Sequence, residues 1–446
     1  MRNIEEDEMD FTRVNEGLLQ FLDESPVAFY AVKNMRRMLE ESGAERLCEG
    51  DAWKLETGKK YYVTRNESAI IAFEIPKKDY RGFQIMASHS DSPVFKIKAN
   101  AEIEVDKTYV KLNVEKYGGM IFSPWLDRPL SVAGRVIIET PEGIETRLVR
   151  IDRDLVIVPN LAIHMNREIN DGYKFNAQND MLPLFGEKLE KGSFLRFIAK
   201  EAGVEESQIL DTDLYLYNRM KGTTVGLNGE FICSGRLDDL QCAYASLQGF
   251  LQAKPTESIA VHCVYDNEEV GSGTKQGAQS TFLKDVLHRI NAAMGRDEEG
   301  YIRSLTSSFM VSADNAHSVH PNHTDKADPT NRPYMNQGIV IKYSANQKYT
   351  TDAVSGAIFR KICKKAEVPV QTFTNRSDML GGSTLGNLSG NQVALNTVDI
   401  GLPQLAMHSP YETAGAKDTA YLIEAAKVLF SSAIQSSGDG NYSILL

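Results

Sequence analysis

A chain of 446 residues is long enough for two or three domains with a buried core, which excludes a peptide, a fibre and a disordered tail. Hydrophobic residues make up 42% and charged residues 24%, near the globular average, and the 33 Gly and 15 Pro follow no period. With 60 Asp plus Glu against 49 Lys plus Arg, the net charge of −11 offers no cationic surface for nucleic acid or anionic membrane.

The start, MRNIEEDEMDF, lacks the basic residues and apolar core of a secretory signal, and no apolar run approaches the ~20 residues that cross a bilayer. A cytoplasmic protein without a membrane partner is expected. Cys48, Cys233, Cys242, Cys263 and Cys363 have no CxxC spacing and an odd number, so they read as free thiols of a reducing compartment.

In chain order, Leu18, Leu19, Phe21 and Leu22, then Ala31, Val32, Met35 and Leu39, recur at helical spacing and predict two helices between Met9 and Ser42. AIIAFEI from Ala69 and GFQIMASH from Gly82 predict two buried strands about the turn-prone KKDYRG. From Phe95 to Ser234 short alternating runs, such as TYVKLNVEKY and GRVIIET, are broken by Gly, Pro, Asn and Asp, which is the texture of an all-β module. After Asp238 helices alternate with the apolar runs SIAVHCVY, SFMVSAD, GIVIKYS, PVQTF and QVALNT. The fold class expected is α/β: a catalytic domain with a mostly parallel, helix-flanked sheet, built from residues 1–94 and 235–446, interrupted by a β-rich insertion, 95–234. The last stretch, SSGDGNYSILL, reads as a poorly ordered tail.

Open α/β sheets bind ligands beyond the carboxyl ends of their strands, and polar side chains collect at five such places. FQIMAS runs into His89, Ser90 and Asp91; SGRLDDLQ supplies Asp238 and Asp239 ahead of a helix; IAVHCVY leads into Asp266, Asn267, Glu268 and Glu269. SFMVSA leads into Asp314, and GLPQLAMHSPYE presents His408. Two imidazoles among carboxylates suit Zn²⁺ and, less selectively, Mn²⁺ or Co²⁺. A two-metal hydrolytic site also needs a shared carboxylate and an unligated base, and this inventory contains enough acids for both.

HSVHPNH carries His317, His320 and His323, but Pro321 breaks any single helix that would present all three. His317 and His320 are taken as lining residues near Asp314, and His262 and His288 as structural. In GIVIKYS the alternation puts Ile339, Ile341 and Tyr343 on one face and Val340 with Lys342 on the other, where an unpaired lysine is costly to bury. The chain has no P-loop, no G-x-S-x-G elbow and no G-x-G-x-x-G after its first strand.

With ASHSDSPVFKIK, KYGGMIFSPWLDRPLSVAGRV, PNLAIHMNR, GRLDDL, YDNEEVGS, SADNAHSVHPN, GGSTLG and PQLAMHS in this order, the chain resembles the aspartyl aminopeptidase family of dinuclear-metal exopeptidases, bacterial members included. The resemblance implies two divalent ions per subunit, most simply zinc, bridged by Asp238, with His89 and Asp314 on one and Glu269 and His408 on the other. Glu268 would be the base and Asp91 the partner that orients His89, leaving Asp239 structural. It further implies an acidic amino-terminal residue, Asp or Glu, on the peptide substrate, met by Lys342 with Tyr349 nearby. The insertion would be a dimerisation domain in a homo-oligomeric dodecamer built from dimers, with His164 reaching a neighbouring subunit's site. Two other functions use the same framework: a metal-dependent deacylase of N-acyl amino acids, and a non-catalytic oligomeric scaffold.

Overall fold

The structure, a computed structural model, describes residues 9–446, so the acidic start at residues 1–8 lies outside it. Helices α1 (Phe11–Glu24) and α2 (Ala28–Glu41) open the chain, and Asp10 caps α1 by accepting from the Arg13 N–H at 3.0 Å. Their predicted apolar stripes are the buried faces, with Leu18, Phe21, Leu22, Ala31, Val32, Met35 and Leu39 in one core. Strands β1 (Glu45–Leu47), β2 (Lys59–Arg65), β3 (Ala69–Ile75) and β4 (Phe83–His89) follow.

The chain then builds a separate antiparallel sheet from β5 (Val94–Val105), β6 (Tyr109–Tyr117), β7 (Leu130–Thr140), β8 (Gly143–Arg150), β9 (Leu184–Glu187) and β10 (Ile209–Asn218). Their spatial order is β8-β7-β10-β5-β6-β9. With α3 (Ala177–Asp180) and α4 (Ser193–Ala202) this unit has its own core, in which Phe194 and Ile198 of α4 pack with Phe95, Trp125, Val132 and Leu216.

The return begins with β11 (Thr223–Val225), β12 (Phe231–Ser234), α5 (Leu237–Gln252) and β13 (Ile259–Tyr265). It continues through α6 (Phe282–Ala293), α7 (Glu298–Thr306), β14 (Phe309–Ala313), β15 (Ala316–His317), β16 (Ile339–Lys342), α8 (Ala353–Lys365) and β17 (Val370–Phe373). It closes with α9 (Leu385–Ser389), β18 (Asn396–Gly401), β19 (Pro403–Leu405), β20 (Glu412–Gly415), α10 (Asp418–Ser431), β21 (Ala433–Ser436) and β22 (Tyr442–Leu445).

The main sheet has nine strands in the order β1-β2-β3-β13-β4-β14-β18-β16-β17, and the central four, β13, β4, β14 and β18, run parallel. Helices cover both faces, so β4 and β13 are buried along their whole length. Met86 points into the layer of α1, α2, α5, α8 and α10, whereas Ile85 and Ala87 point into that of α6, α7 and α9.

Three local outcomes differ from the sequence expectation. The six-stranded sheet ends at Asn218, and β12 instead pairs with β20, so the chain leaves that sheet before residue 234. The C-terminal stretch forms a β21–β22 hairpin turned by Gly438 and Gly440, both at positive φ, and Ile434 joins the core. His288 lies on the surface, its Nε2 2.7 Å from Glu298, rather than in the interior.

Gly401 ends β18 where a Cβ would lie 2.0 Å from the Asp314 carbonyl oxygen, so a side chain there must push apart the strands that position the site. Gly401→Ala is expected to cost about 1–3 kcal/mol, read as a lower urea midpoint at unchanged slope. A midpoint equal to wild type would show that these backbones separate freely.

Candidate metal centre

Parallel strands that end side by side bring the predicted residues together. His89 closes β4, its N–H donating to Asp239 Oδ2 at 3.0 Å, and its Nδ1 lies 3.0 Å from the Asp91 carbonyl oxygen and 3.3 Å from Asp91 Oδ1. That leaves Nε2 facing inward. Asp238 sits where Arg236, in the left-handed region at φ 63, turns the chain into α5. Its N–H donates to Glu412 Oε2 at 3.1 Å and its carbonyl accepts from Ser92 Oγ at 2.9 Å, which fixes the backbone and leaves the carboxylate free.

The two oxygens of Asp238 then face different imidazoles. Oδ1 is 3.5 Å from His89 Nε2, and Oδ2 is 3.4 Å from His408 Nε2. Asp314 Oδ1 lies 3.9 Å from His89 Nε2 on the first side, and Glu269 Oε2 lies 3.4 Å from His408 Nε2 on the second. Glu268 Oε2 is 4.0 Å from His89 Nε2, and three donor sets, His89/Asp238/Asp314, Asp238/Glu269/His408 and His89/Glu268/Glu269, each close to within 4.8 Å.

Burial works against charge on these acids. Together with Asp314 and Asp91 it pushes Glu268 up to about 8, and with Asp238 beside it Glu269 goes well above the usual range. Asp238 is also desolvated, but the His408 and His89 imidazoles outweigh that and hold it well below an ordinary aspartate. Asp238 Oδ1 and Glu269 Oε1 are buried acceptors without a hydrogen-bond donor. Orphaned carboxylate oxygens among crowded like charges are what a divalent cation would neutralise, so the residues fit one.

Beside the acids opens a cavity of about 360 Å³ lined by Lys342, Tyr349, Phe373, His317 and Met407 as well as Asp238, Glu268, Glu269 and Asp314. Among its lining residues Lys342 is the one Lys or Arg. Its alternation partners Ile339 and Ile341 enter the main core, while Lys342, 3% exposed, gives a hydrogen bond from Nζ to the Asn315 carbonyl at 2.7 Å. Nζ lies 3.9 Å from Asp314 Oδ2 and 5.5 Å from the centre of the Tyr349 ring, so the lysine pairs inside rather than reaching solvent. His317 lines the cavity as expected, but His320 does not: it is exposed, its ring 5.0 Å from that of His323. His262 is buried against Ser246 Oγ at 2.8 Å, and burial holds its pKa down to about 3, a structural neutral imidazole. His164 is exposed on the irregular segment after β8, outside the lining of its own chain's cavity.

Two residues not singled out from sequence complete the site. Glu412, 2% exposed, accepts from the N–H groups of both Asp238 and His408, at 3.1 and 2.9 Å, and so sets two facing donors with one carboxylate. It stands in the segment MHSPYE, four residues beyond His408, a spacing that carries no ligand signal by itself. Tyr117, from β6 of the insertion, donates to Asp91 Oδ2 at 2.7 Å.

The family described as Aminopeptidase I zinc metalloprotease (M18) matches residues 21–430. A probable M18 family aminopeptidase 2 from Clostridium novyi is 47% identical over 422 residues, covering 93% of this chain and 98% of that protein. The cryo-EM structure of the Ape4 and Nbr1 complex superposes with a TM-score of 0.91 at 35% identity, covering 94% of this chain and 86% of that one. The S. cerevisiae mApe1 dodecamer does so with a TM-score of 0.82 at 26% identity, covering 94% and 96%. Matched along nearly its whole length, with buried acids and imidazoles that fit a divalent cation, the chain belongs to the M18 family of zinc metalloaminopeptidases, enzymes that remove amino-terminal residues from peptides.

Proposed function

We propose that the enzyme is a dinuclear aminopeptidase that prefers acidic amino-terminal residues. The observation that carries the reading is Asp238, whose two oxygens face two donor sets, one completed by His89 and Asp314 and the other by Glu269 and His408. Zinc is the first choice of ion, and the nitrogen and oxygen donors also accept Mn²⁺ or Co²⁺. The ions, when bound, supply Lewis acidity to the scissile carbonyl and the attacking water. Glu268, which stands outside the two sets that share Asp238, takes the proton of that water and delivers it to the leaving amine. Asp91 orients His89 through Nδ1.

Lys342 reads the first side chain of the substrate. It is the cation of the cavity, held at the floor by the Asn315 carbonyl and flanked by Tyr349, and Asp314 is the acid nearest to it. With Asp314 engaged in holding an ion, Lys342 would keep its charge for an incoming carboxylate. Such a pair contributes about 1.5–3 kcal/mol, or ten- to a hundredfold in kcat/KM. Lys342→Met is therefore expected to erase most of the ratio of kcat/KM for Asp or Glu over Leu or Ala substrates. An unchanged ratio at equal metal content would remove Lys342 as the reader.

The assembly proposed is a dodecamer built from dimers, with the insertion carrying contacts and His164 entering a neighbouring site; the similar mApe1 is a dodecamer. A cytoplasmic location is proposed with it, and five free cysteines suit that compartment. Among the described residues no helix is long and apolar enough to cross a membrane.

Metal removal tests the central claim. Protein stripped with a chelator should lose turnover and regain it with two equivalents of zinc per chain, counted by elemental analysis, on unblocked but not N-acylated substrates. Full activity in metal-free protein would overturn it, and hydrolysis of the N-acylated set alone would make the enzyme a deacylase.

A further inference from the structure

The insertion does more at the site than its position in the chain suggests. β5 starts three residues beyond Asp91, and the β5–β6 hairpin pairs Val94 with Tyr117, so the end of β6 returns directly over the loop that carries Asp91. Tyr117 donates its hydroxyl to Asp91 Oδ2 at 2.7 Å and accepts from Asn267 Nδ2 at 2.8 Å. Asp91 in turn accepts from two backbone groups, Glu268 N–H on Oδ1 at 3.1 Å and Glu269 N–H on Oδ2 at 3.2 Å. Asn267, in the left-handed region at φ 59, anchors the same turn through Thr274 and Gln276, each donating to its Oδ1 at 2.8 Å.

The next residues of the insertion extend the contact. A Cβ on Gly118 would meet Glu269 Cβ at 3.1 Å, and the Ile121 N–H donates to the His408 carbonyl at 3.2 Å. One short segment of the insertion thus touches Asp91, Glu269 and His408. Tyr117 itself is held against Tyr215, edge to face at 6.1 Å, a contact that survives loss of the hydroxyl.

We infer that Tyr117 is a positioning residue of the metal centre: its hydroxyl locks Asp91 to the turn bearing Glu268 and Glu269, so the insertion sets the geometry of its own chain's site. The inference rests on the base and ligand roles proposed above for those two glutamates. Partners of this kind typically change activity or metal affinity by about 10- to 100-fold.

The test is Tyr117→Phe in the full-length protein, compared at wild-type particle mass. The expected result is a kcat lowered about 10-fold or more with KM within about twofold, and zinc passing to a chromophoric chelator about tenfold faster. Because the hydroxyl acts through Asp91, adding Tyr117→Phe to Asp91→Ala should change kcat by less than about twofold. Full additivity of the two substitutions would overturn the inference. So would wild-type kcat and zinc release in Tyr117→Phe while Glu268→Gln is inactive, whereas an active Glu268→Gln would overturn the reading beneath it.

Discussion

Glu268→Gln is expected to keep both metal ions and lower kcat by about 10²-fold or more, the loss typical of a removed acid–base group. The adjacent residues occupy different positions: Glu269 points its carboxylate at His408, 3.4 Å away, whereas Glu268 stands on the His89 side, 4.0 Å from Nε2. Burial and the neighbouring acids push Glu268 up to about 8 in the bare chain, and cations seated beside it would draw that value down toward the working range of a general base. An amide at position 268 retains the size and the backbone bond to Asp91 but cannot carry the proton. Glu269→Gln should behave differently, losing metal because an amide is a poorer ligand than a carboxylate. Elemental analysis beside steady-state kinetics separates the two. If Glu268→Gln lost metal and Glu269→Gln kept it, the roles would be exchanged.

Part of the candidate site was legible because His89 after FQIMAS and Asp314 after SFMVSA stand at the ends of apolar runs, where parallel sheets expose their carboxyl ends. Tyr117 was not legible. Its role arises from a hairpin register that brings it back to Asp91 across 26 residues, and nothing in LNVEKYGG distinguishes that tyrosine from one packed on a β-sheet. Glu412 was hidden in another way, since it serves the backbone of Asp238, 174 residues away, and only the packed loops create the need for it. The boundary of the insertion was blurred for a related reason. Composition identifies β12 as strand, but its partner β20 lies near the far end of the chain, and pairing rather than texture decides which sheet a strand joins. The C-terminal hairpin shows the converse, because SSGDGN is polar and turn-prone, yet Gly438 and Gly440 at φ 133 and 81 reverse the chain and bring Ile444 back to pair with Ile434 of the core.

Asp238→Asn is expected to empty the centre of both ions at once, where Asp314→Asn and His408→Ala each weaken one. The argument is geometric: Asp314 is near His89 and His408 is near Glu269, while Asp238 offers one oxygen to each of these two sets. Its carboxylate has no second duty, since Glu412 and Ser92 hold it through the backbone, so the amide should be accepted without moving the chain. Turnover should fall further than the about 10²-fold expected for Glu268→Gln, because both ions and the water they activate are lost together. Stability gives a second readout. An ion that binds only the folded chain adds about 2.7 kcal/mol at a free concentration one hundred times its Kd, so zinc should raise the unfolding temperature of the wild type in two steps of occupancy. In Asp238→Asn that zinc-dependent rise should disappear, while Asp314→Asn and His408→Ala should each retain some of it. Calorimetric titration of zinc into the three stripped variants supplies the count. An Asp238→Asn protein that still takes one ion with wild-type affinity would mean that the carboxylate belongs to a single site, and the dinuclear reading would then need another bridge.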